Sequence, residues 1–425
     1  MLTKIKTDFK VHMDINIIFY LALGLYYFNG IINGTTLTDV SGIPLLMTVI
    51  KWTVFVLLLW KIVLQKYTAR SLCKIAIVGC IILLSYYFCR WQDVLVFGFL
   101  FIVAAKGIDL RKVAKEILII TFVTVLFVII LAEAGMIESI TQKVSSSSRT
   151  YLWSAGNTIK LWGFEHHNYF GSRVLTFLTC YVFLRYEKFK IYDLIPCFAL
   201  FYFCYFVVKT RTAAILILLV IFLVLLFKFL KFFGERKNKN LVRVGVYFIM
   251  AFSVIFSLFM CITYNSGNSI YIFFDSLLTT RISSAHSIFS EYGFSLFGQN
   301  VELISTITAA EEGVSAIVMD NAYMHLFVRC GVLVGILVLL GYFVAVKLAL
   351  EEKNYGVLVV IAVYFVCGIS ETWLFTISQN PFLLLLSVGL YNQNLNLSFT
   401  DDLLNKKRKI VFKRSSAKNG MEVFK

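Results

Sequence analysis

One recurring pattern limits this chain to very few architectures. Apolar runs, most close to twenty residues long, alternate with short basic segments. A helix needs roughly 20 apolar residues to cross the hydrocarbon core of a bilayer. Twelve such runs stand at about 15–33, 43–63, 73–89, 92–106, 114–136, 167–184, 192–208, 212–231, 244–264, 321–346, 356–371 and 380–394. Of the 425 residues 59% are hydrophobic and only 15% are charged, whereas soluble domains average about 25% charged. The expected fold is all-α, a polytopic integral membrane protein with about twelve transmembrane helices. One membrane domain, 1–394, is followed by a basic tail, 395–425.

The formal net charge is +16. That balance alone would suit a nucleic-acid binder, but here the basic residues lie between apolar runs. With the N-terminus inside, the inner segments gather Lys61, Lys66 and Arg70; Lys106, Arg111, Lys112 and Lys115; Arg185, Lys188 and Lys190; Lys228 through Arg243; Lys347 and Lys353; and Lys406 through Lys409. The outer segments hold only Arg90, Lys143, Arg149, Lys160, Lys209, Arg211 and Arg281. This is the positive-inside distribution, and it places both termini in the cytoplasm. No nucleic-acid partner is expected. The tail is expected to lie along the anionic inner leaflet. Two long loops fall outside, 137–166 and 265–320. The run Ser145–Ser148 in the first reads as a flexible turn. Nine cysteines sit in or beside apolar runs without a C-x-x-C spacing, so they read as small buried hydrophobes. Lys4, Lys6 and Lys10 precede a first run that reads as a retained helix. No inverted pair of broken helices, the mark of many transporters, is present.

The stretch from Tyr264 to Arg329 cannot span a bilayer, and a loop of that length points to function. At about 100° per residue, Leu278, Ile282, Ala285 and Phe289 share one face. This predicts an amphipathic helix over about 277–291. Arg281 and His286 flank its face, Glu291 lies on the polar side, and Gly293 ends it. Such a helix either rests on the membrane with its arginine at the headgroups or sets Arg281 against a lipid diphosphate. Lys209-Thr210-Arg211-Thr212 reads as a polar hairpin turn or as an anion clamp, since guanidinium binds phosphate oxygens in bidentate fashion. Asp320 suits a helix N-cap. Asn321, His325 and Arg329, spaced i, i+4, i+8, predict one polar stripe facing a cavity. His166, His167 and Asn168 open the sixth run, with Arg173 about two turns in. Adjacent histidines point apart on a helix, so no shared metal is expected. Glu371 and Asn380-Pro381 carry little signal. The outer segments lack D-x-D, H-E-x-x-H, P-loop and dinucleotide patterns, so no metal or nucleotide cofactor is expected.

Four stretches resemble the Wzy-type polysaccharide polymerases of the O-antigen polymerase and ligase family. They are Gly163-Phe164-Glu165-His166-His167-Asn168-Tyr169-Phe170-Gly171, Lys209-Thr210-Arg211-Thr212-Ala213, Arg281 through Asn300, and Asp320-Asn321-Ala322-Tyr323 through Gly331. Asn380-Pro381-Phe382-Leu383 resembles capsule polymerases of the same kind. The resemblance covers about 140–390. It implies that a glycan on undecaprenyl diphosphate is passed to a lipid-linked repeat unit at the outer membrane face. Lipid diphosphate would leave against arginines matching Arg211 and Arg281. Lys209, Arg329, Asn321, His167, Asn168 and Glu291 are further candidates for binding diphosphate or glycan. Ligase relatives often carry His-Asn where this chain has Asp320-Asn321, so the general base stays open among Asp320, His286 and His325. A flippase and a chain-length regulator are the implied partners. Two alternatives remain: an O-antigen-ligase-like transferase, and a lipid-linked oligosaccharide flippase.

Overall fold

The structure, a computed structural model, describes residues 15–90, 93–143, 158–304, 309, 313–314 and 316–391. The tail 395–425 and the Ser145–Ser148 run lie outside the described residues. The described residues are helical but for one short hairpin and two isolated bridges. In order come α1 (Ile15–Ile32), α2 (Ile43–Leu64), α3 (Ala69–Phe88), α4 (Asp93–Ala104) and α5 (Leu110–Glu133). The hairpin pairs β1 (Thr141–Lys143) with β2 (Thr158–Lys160), Gln142 opposite Ile159. Then follow α6 (His167–Arg185), α7 (Leu194–Tyr202), α8 (Arg211–Phe232), α9 (Glu235–Ile262), α10 (Ser269–Leu277), α11 (Arg281–Tyr292), α12 (Val332–Glu351) and α13 (Tyr355–Cys367).

Local chemistry sets several of these ends. Thr68 caps α3 by accepting from the Ser71 amide, and Asp109 caps α5 by accepting from the Arg111 amide at 2.8 Å. Pro44 sits in the first turn of α2, where its missing N–H costs nothing. Among the described residues seven helices are long and apolar enough to cross a membrane: α1, α2, α3, α5, α8, the Asn240–Ile262 part of α9, and α12. The other five expected runs also form helices. Four of them are shorter: α4, Ile191–Val207, α13 and Pro381–Tyr391. Outward faces are apolar, with Leu45, Trp52, Val56 and Val63 of α2 and Ile119 and Phe122 of α5 all exposed. Contiguous apolar surface of that extent belongs in lipid.

The core gathers round α13. Every residue from Tyr355 to Phe365 is buried, and α6, α8, α9 and α12 pack against it. A helix apolar on all sides is surrounded either by lipid or by protein, and α13 is surrounded by protein.

Two sequence expectations need correction. The helix expected over 277–291 is split, because Thr279 and Thr280 take left-handed conformations, φ 58° and 61°. Helix α11 therefore starts at Arg281. Its apolar face, Ile282, Ala285 and Ile288, packs on Met260, Cys261, Val301 and Met324 instead of lying on the membrane. The exposed apolar residues of this region, Ile270, Phe273 and Leu277, belong to α10. The run at 321–346 is also broken. After one α-turn, Ala322–Met324, the chain widens into a π-type turn over His325–Arg329, closed by the Cys330 amide on the His325 carbonyl at 3.0 Å. Helix α12 starts afresh beyond Gly331.

Candidate functional site

The site forms where α6, the start of α8, the start of α11 and the turn after α13 meet. Gly171 makes the first approach possible. A Cβ there would stand 2.6 Å from the Thr210 hydroxyl oxygen, so only glycine lets the 209–212 junction rest on α6. Thr210 Oγ1 then donates to Asn168 Oδ1 at 3.3 Å, and Asn168 Nδ2 donates to Glu371 Oε1 at 3.2 Å. Arg281 Nη2 donates to the same oxygen at 2.7 Å. Arg281 Nε reaches Asp320 Oδ2 at 3.1 Å. Arg211 Nη2 donates to Thr279 Oγ1 at 2.8 Å, two residues before Arg281. Arg211, seventy residues earlier in the chain, thus bonds the turn that leads into Arg281.

Arg281 opens α11, where the helix dipole disfavours a cation. Three carboxylates answer this. Asp275 caps α11, its Oδ1 accepting from the Ile282 and Ser283 amides at 3.0 and 2.9 Å. Asp320 and Glu371 flank the guanidinium itself. Glu371 lies beyond the end of α13 and is 5% exposed. Burial pushes its carboxyl up to about 8, with Arg281 pulling the other way. The Asp320 side chain is 38% exposed and is the carboxylate that an incoming group can reach.

The sequence candidates divide sharply. Arg211, Arg281, Asp320 and Asn168 come together, and Lys209 stands at the same junction with φ 57°. His286 does not join them; its Nδ1 lies 2.8 Å from the Cys261 carbonyl oxygen and its ring beside Tyr264. Glu291 lies at the far end of α11, exposed and about 15 Å along the axis from Arg281. The expected stripe of Asn321, His325 and Arg329 breaks at its lower end: the His325 amide bonds the Asn321 carbonyl at 2.9 Å as in an α-helix, but the π-type turn over His325–Arg329 puts Arg329 out of register. Asn321, rather than Asp320, is the N-cap: its Oδ1 accepts from the Tyr323 and Met324 amides at 3.0 Å each. Its Nδ2 donates to Ser257 Oγ and to the Ile369 carbonyl, so it is structural glue. His325 lines a separate cavity of about 100 Å³ with Thr372 and Phe375. Arg329 contributes its backbone carbonyl, which accepts from the Gln299 amide at 3.0 Å.

His166 and His167 do not point apart as expected. His166 is extended (φ −146°) and caps α6, its Nδ1 accepting from the Asn168 amide at 3.1 Å. The two rings therefore lie 4.1 Å apart, centre to centre. Burial lowers the His166 imidazole below its ordinary pKa, with Asp320 opposing, which suits an acceptor nitrogen. Among the described residues no group of three or more His, Cys, Asp or Glu could hold a metal ion. Glu371 and Asp275 are the residues that sequence reasoning missed. Compared with family models, curated proteins and solved structures, the chain matches none.

Proposed function

We propose that this protein polymerises lipid-linked oligosaccharides, joining undecaprenyl-diphosphate-linked repeat units at the outer face of a bacterial plasma membrane for a capsular or surface polysaccharide. The observation that supports this most is that Arg211 bonds the Leu277–Thr279 turn leading into Arg281, whose own guanidinium is held by Asp320 and Glu371, at the end of an apolar bundle. Fixed guanidinium groups in a partly dry site stabilise a leaving anion without having to reorganise. In this reading the short helices complete a twelve-segment bundle, both termini are cytoplasmic, and a flippase and a chain-length regulator work beside it.

The reaction assigns each group a task. The acceptor hydroxyl oxygen bonds to the anomeric carbon of the donor glycan. The bond from that carbon to the diphosphate oxygen breaks, and the diphosphate leaves with the electron pair. Arg281 and Arg211 hold that anion. Asp320, the reachable carboxylate, takes the hydroxyl proton. Glu371 sits behind Arg281, and its raised pKa favours its protonated form near neutral pH, which leaves the guanidinium charge for the ligand.

Deleting the gene and analysing the lipid-linked glycans tests the reading. Single repeat units on the outer leaflet support it. Long chains left on the carrier would make the protein a ligase, and single units held inside would make it a flippase.

A further inference from the structure

A second cavity is lined by Tyr169 and Arg173 of α6. It encloses about 300 Å³ between α1, α2, α4, α6 and the 376–379 turn. That volume is at the small end of ligand sites, which run from about 300 to 1,000 Å³, and it suits one sugar ring better than a chain.

Arg173 is its decisive residue. The side chain is 4% exposed and lines the cavity. Nη1 donates to the Ser378 carbonyl at 2.6 Å and Nη2 to the Gly30 carbonyl at 2.5 Å. Nε is buried without a partner, and no carboxylate among the described residues pairs with this guanidinium. Backbone carbonyls orient the group but do not neutralise a full charge. A buried cation without a counter-charge is strongly disfavoured, so the site is built to be completed by an anion. The rest of the wall limits what that anion belongs to. Lys51 and Asp93 form an ion pair that cancels itself, leaving the cavity's ionisable lining one positive charge in excess. Asn33 and Gln379 bring amides, which match hydroxyl groups, and Tyr26 and Tyr169 bring rings, which match the apolar face of a pyranose. A free phosphate would use the arginine and leave amides and rings idle.

We infer that this cavity is a subsite for a carboxylate-bearing sugar, a hexuronic acid unit, with Arg173 on the carboxylate. Its place in the acceptor substrate rests on the polymerase reading. Tyr169 follows Asn168, the residue hydrogen-bonded to Glu371, so the subsite and the diphosphate cluster are neighbours along one turn of α6. The leaving diphosphate and the incoming sugar then have separate cationic holders, Arg281 with Arg211 for one and Arg173 for the other.

Binding can be measured without turnover. Saturation-transfer NMR on the full chain in detergent would compare glucuronate, glucose and acetate. Glucuronate is expected to bind at least about tenfold more tightly than either of the others, the size of one charge-assisted contact. Arg173→Gln should erase the advantage. Because that change also removes a staple between α1 and the 378 turn, Asp93→Asn provides a second reading. It removes the acid from the wall, releases Lys51 and should tighten glucuronate several-fold while leaving glucose unchanged. Equal binding of glucuronate and glucose would overturn the subsite, as would an Asp93→Asn variant with unaltered selectivity. Acetate matching glucuronate would reduce the site to an anion hole and overturn the sugar assignment. Arg281→Lys should leave glucuronate binding intact. Uronate selectivity in a chain whose deletion leaves normal polymer would sink the polymerase reading and keep the subsite.

Discussion

Arg281 is held by two carboxylates and Arg211 by a threonine hydroxyl and a backbone carbonyl, so each guanidinium is aimed before any ligand arrives. If a point charge were enough, lysine would serve at either position. An ammonium cannot reproduce the planar fork. Arg281→Lys and Arg211→Lys should each lower polymerisation about 100- to 1000-fold, the usual loss when a preorganised donor to a developing anion is removed. Lys160, in an exposed pair with Glu133 at 2.6 Å, is the control, and Lys160→Ala should leave chain length unchanged. Polymer of normal length from both lysine variants, at matched protein levels, would remove the clamp. Asp320→Asn can now be read cleanly, because Asn321 caps the helix. The melting temperature should hold while the rate falls about 100-fold or more; an unchanged rate would dismiss Asp320 as the base. Glu371 makes a pH prediction. Its folded pKa, about 8, lies above the ordinary 4.5. The folded chain therefore holds this proton more tightly than the unfolded chain does. That contribution to stability is full below about 4.5 and is lost as pH rises through about 8. Glu371→Gln, neutral throughout, should gain on the wild type in melting scans between pH 5 and 9. A difference that stays flat over that range would contradict the burial argument. The arginines were legible because they were rare outer cations. Glu371 was not, since a lone carboxylate in a short turn has no period and no flanking pattern, and only its partners, from three other elements, give it meaning.

At the scale of elements, period reading failed wherever the backbone changed gear. The apolar positions Ile282 and Ala285 were read correctly as one face, and Gly293 does end α11 with φ 63°. What the pattern could not contain was the left-handed pair Thr279–Thr280, since β-branched residues seldom adopt positive φ. The polar stripe failed for a similar reason: spacing of four marks a face only while the helix keeps 3.6 residues per turn. The strand of loop that returns from α11 is held by two glycines. Gly331 has φ 98°, and a Cβ on it would lie 2.3 Å from the Gly298 nitrogen; one on Gly298 would lie 2.4 Å from the Arg329 carbonyl oxygen. Gly313 also has positive φ, 67°, but nothing stands within 4 Å of its Cβ position. Gly313→Ala should thus show strain alone, about 1–3 kcal/mol. Gly331→Ala should cost clearly more in melting temperature and release the 295–299 segment to proteolysis. Equal effects at the two positions would mean the backbone contact is unimportant.

For the whole molecule, charge placement makes the orientation testable. In a cysteine-free background, Asn300→Cys should react with an impermeant thiol reagent on intact cells and Asn238→Cys should not. The reverse result would invert the protein and take the proposed outer site with it. Helix α13 adds a consequence of a different kind. Its 13 residues span about 20 Å, against roughly 30 Å of hydrocarbon. Protein surrounds it on every side, so lipid never meets its short length and the bilayer need not thin around it. Glu371 stands just beyond its C-terminal end, so in the proposed orientation the proton on that buried carboxyl would answer to the acidity outside and not to that of the cytoplasm.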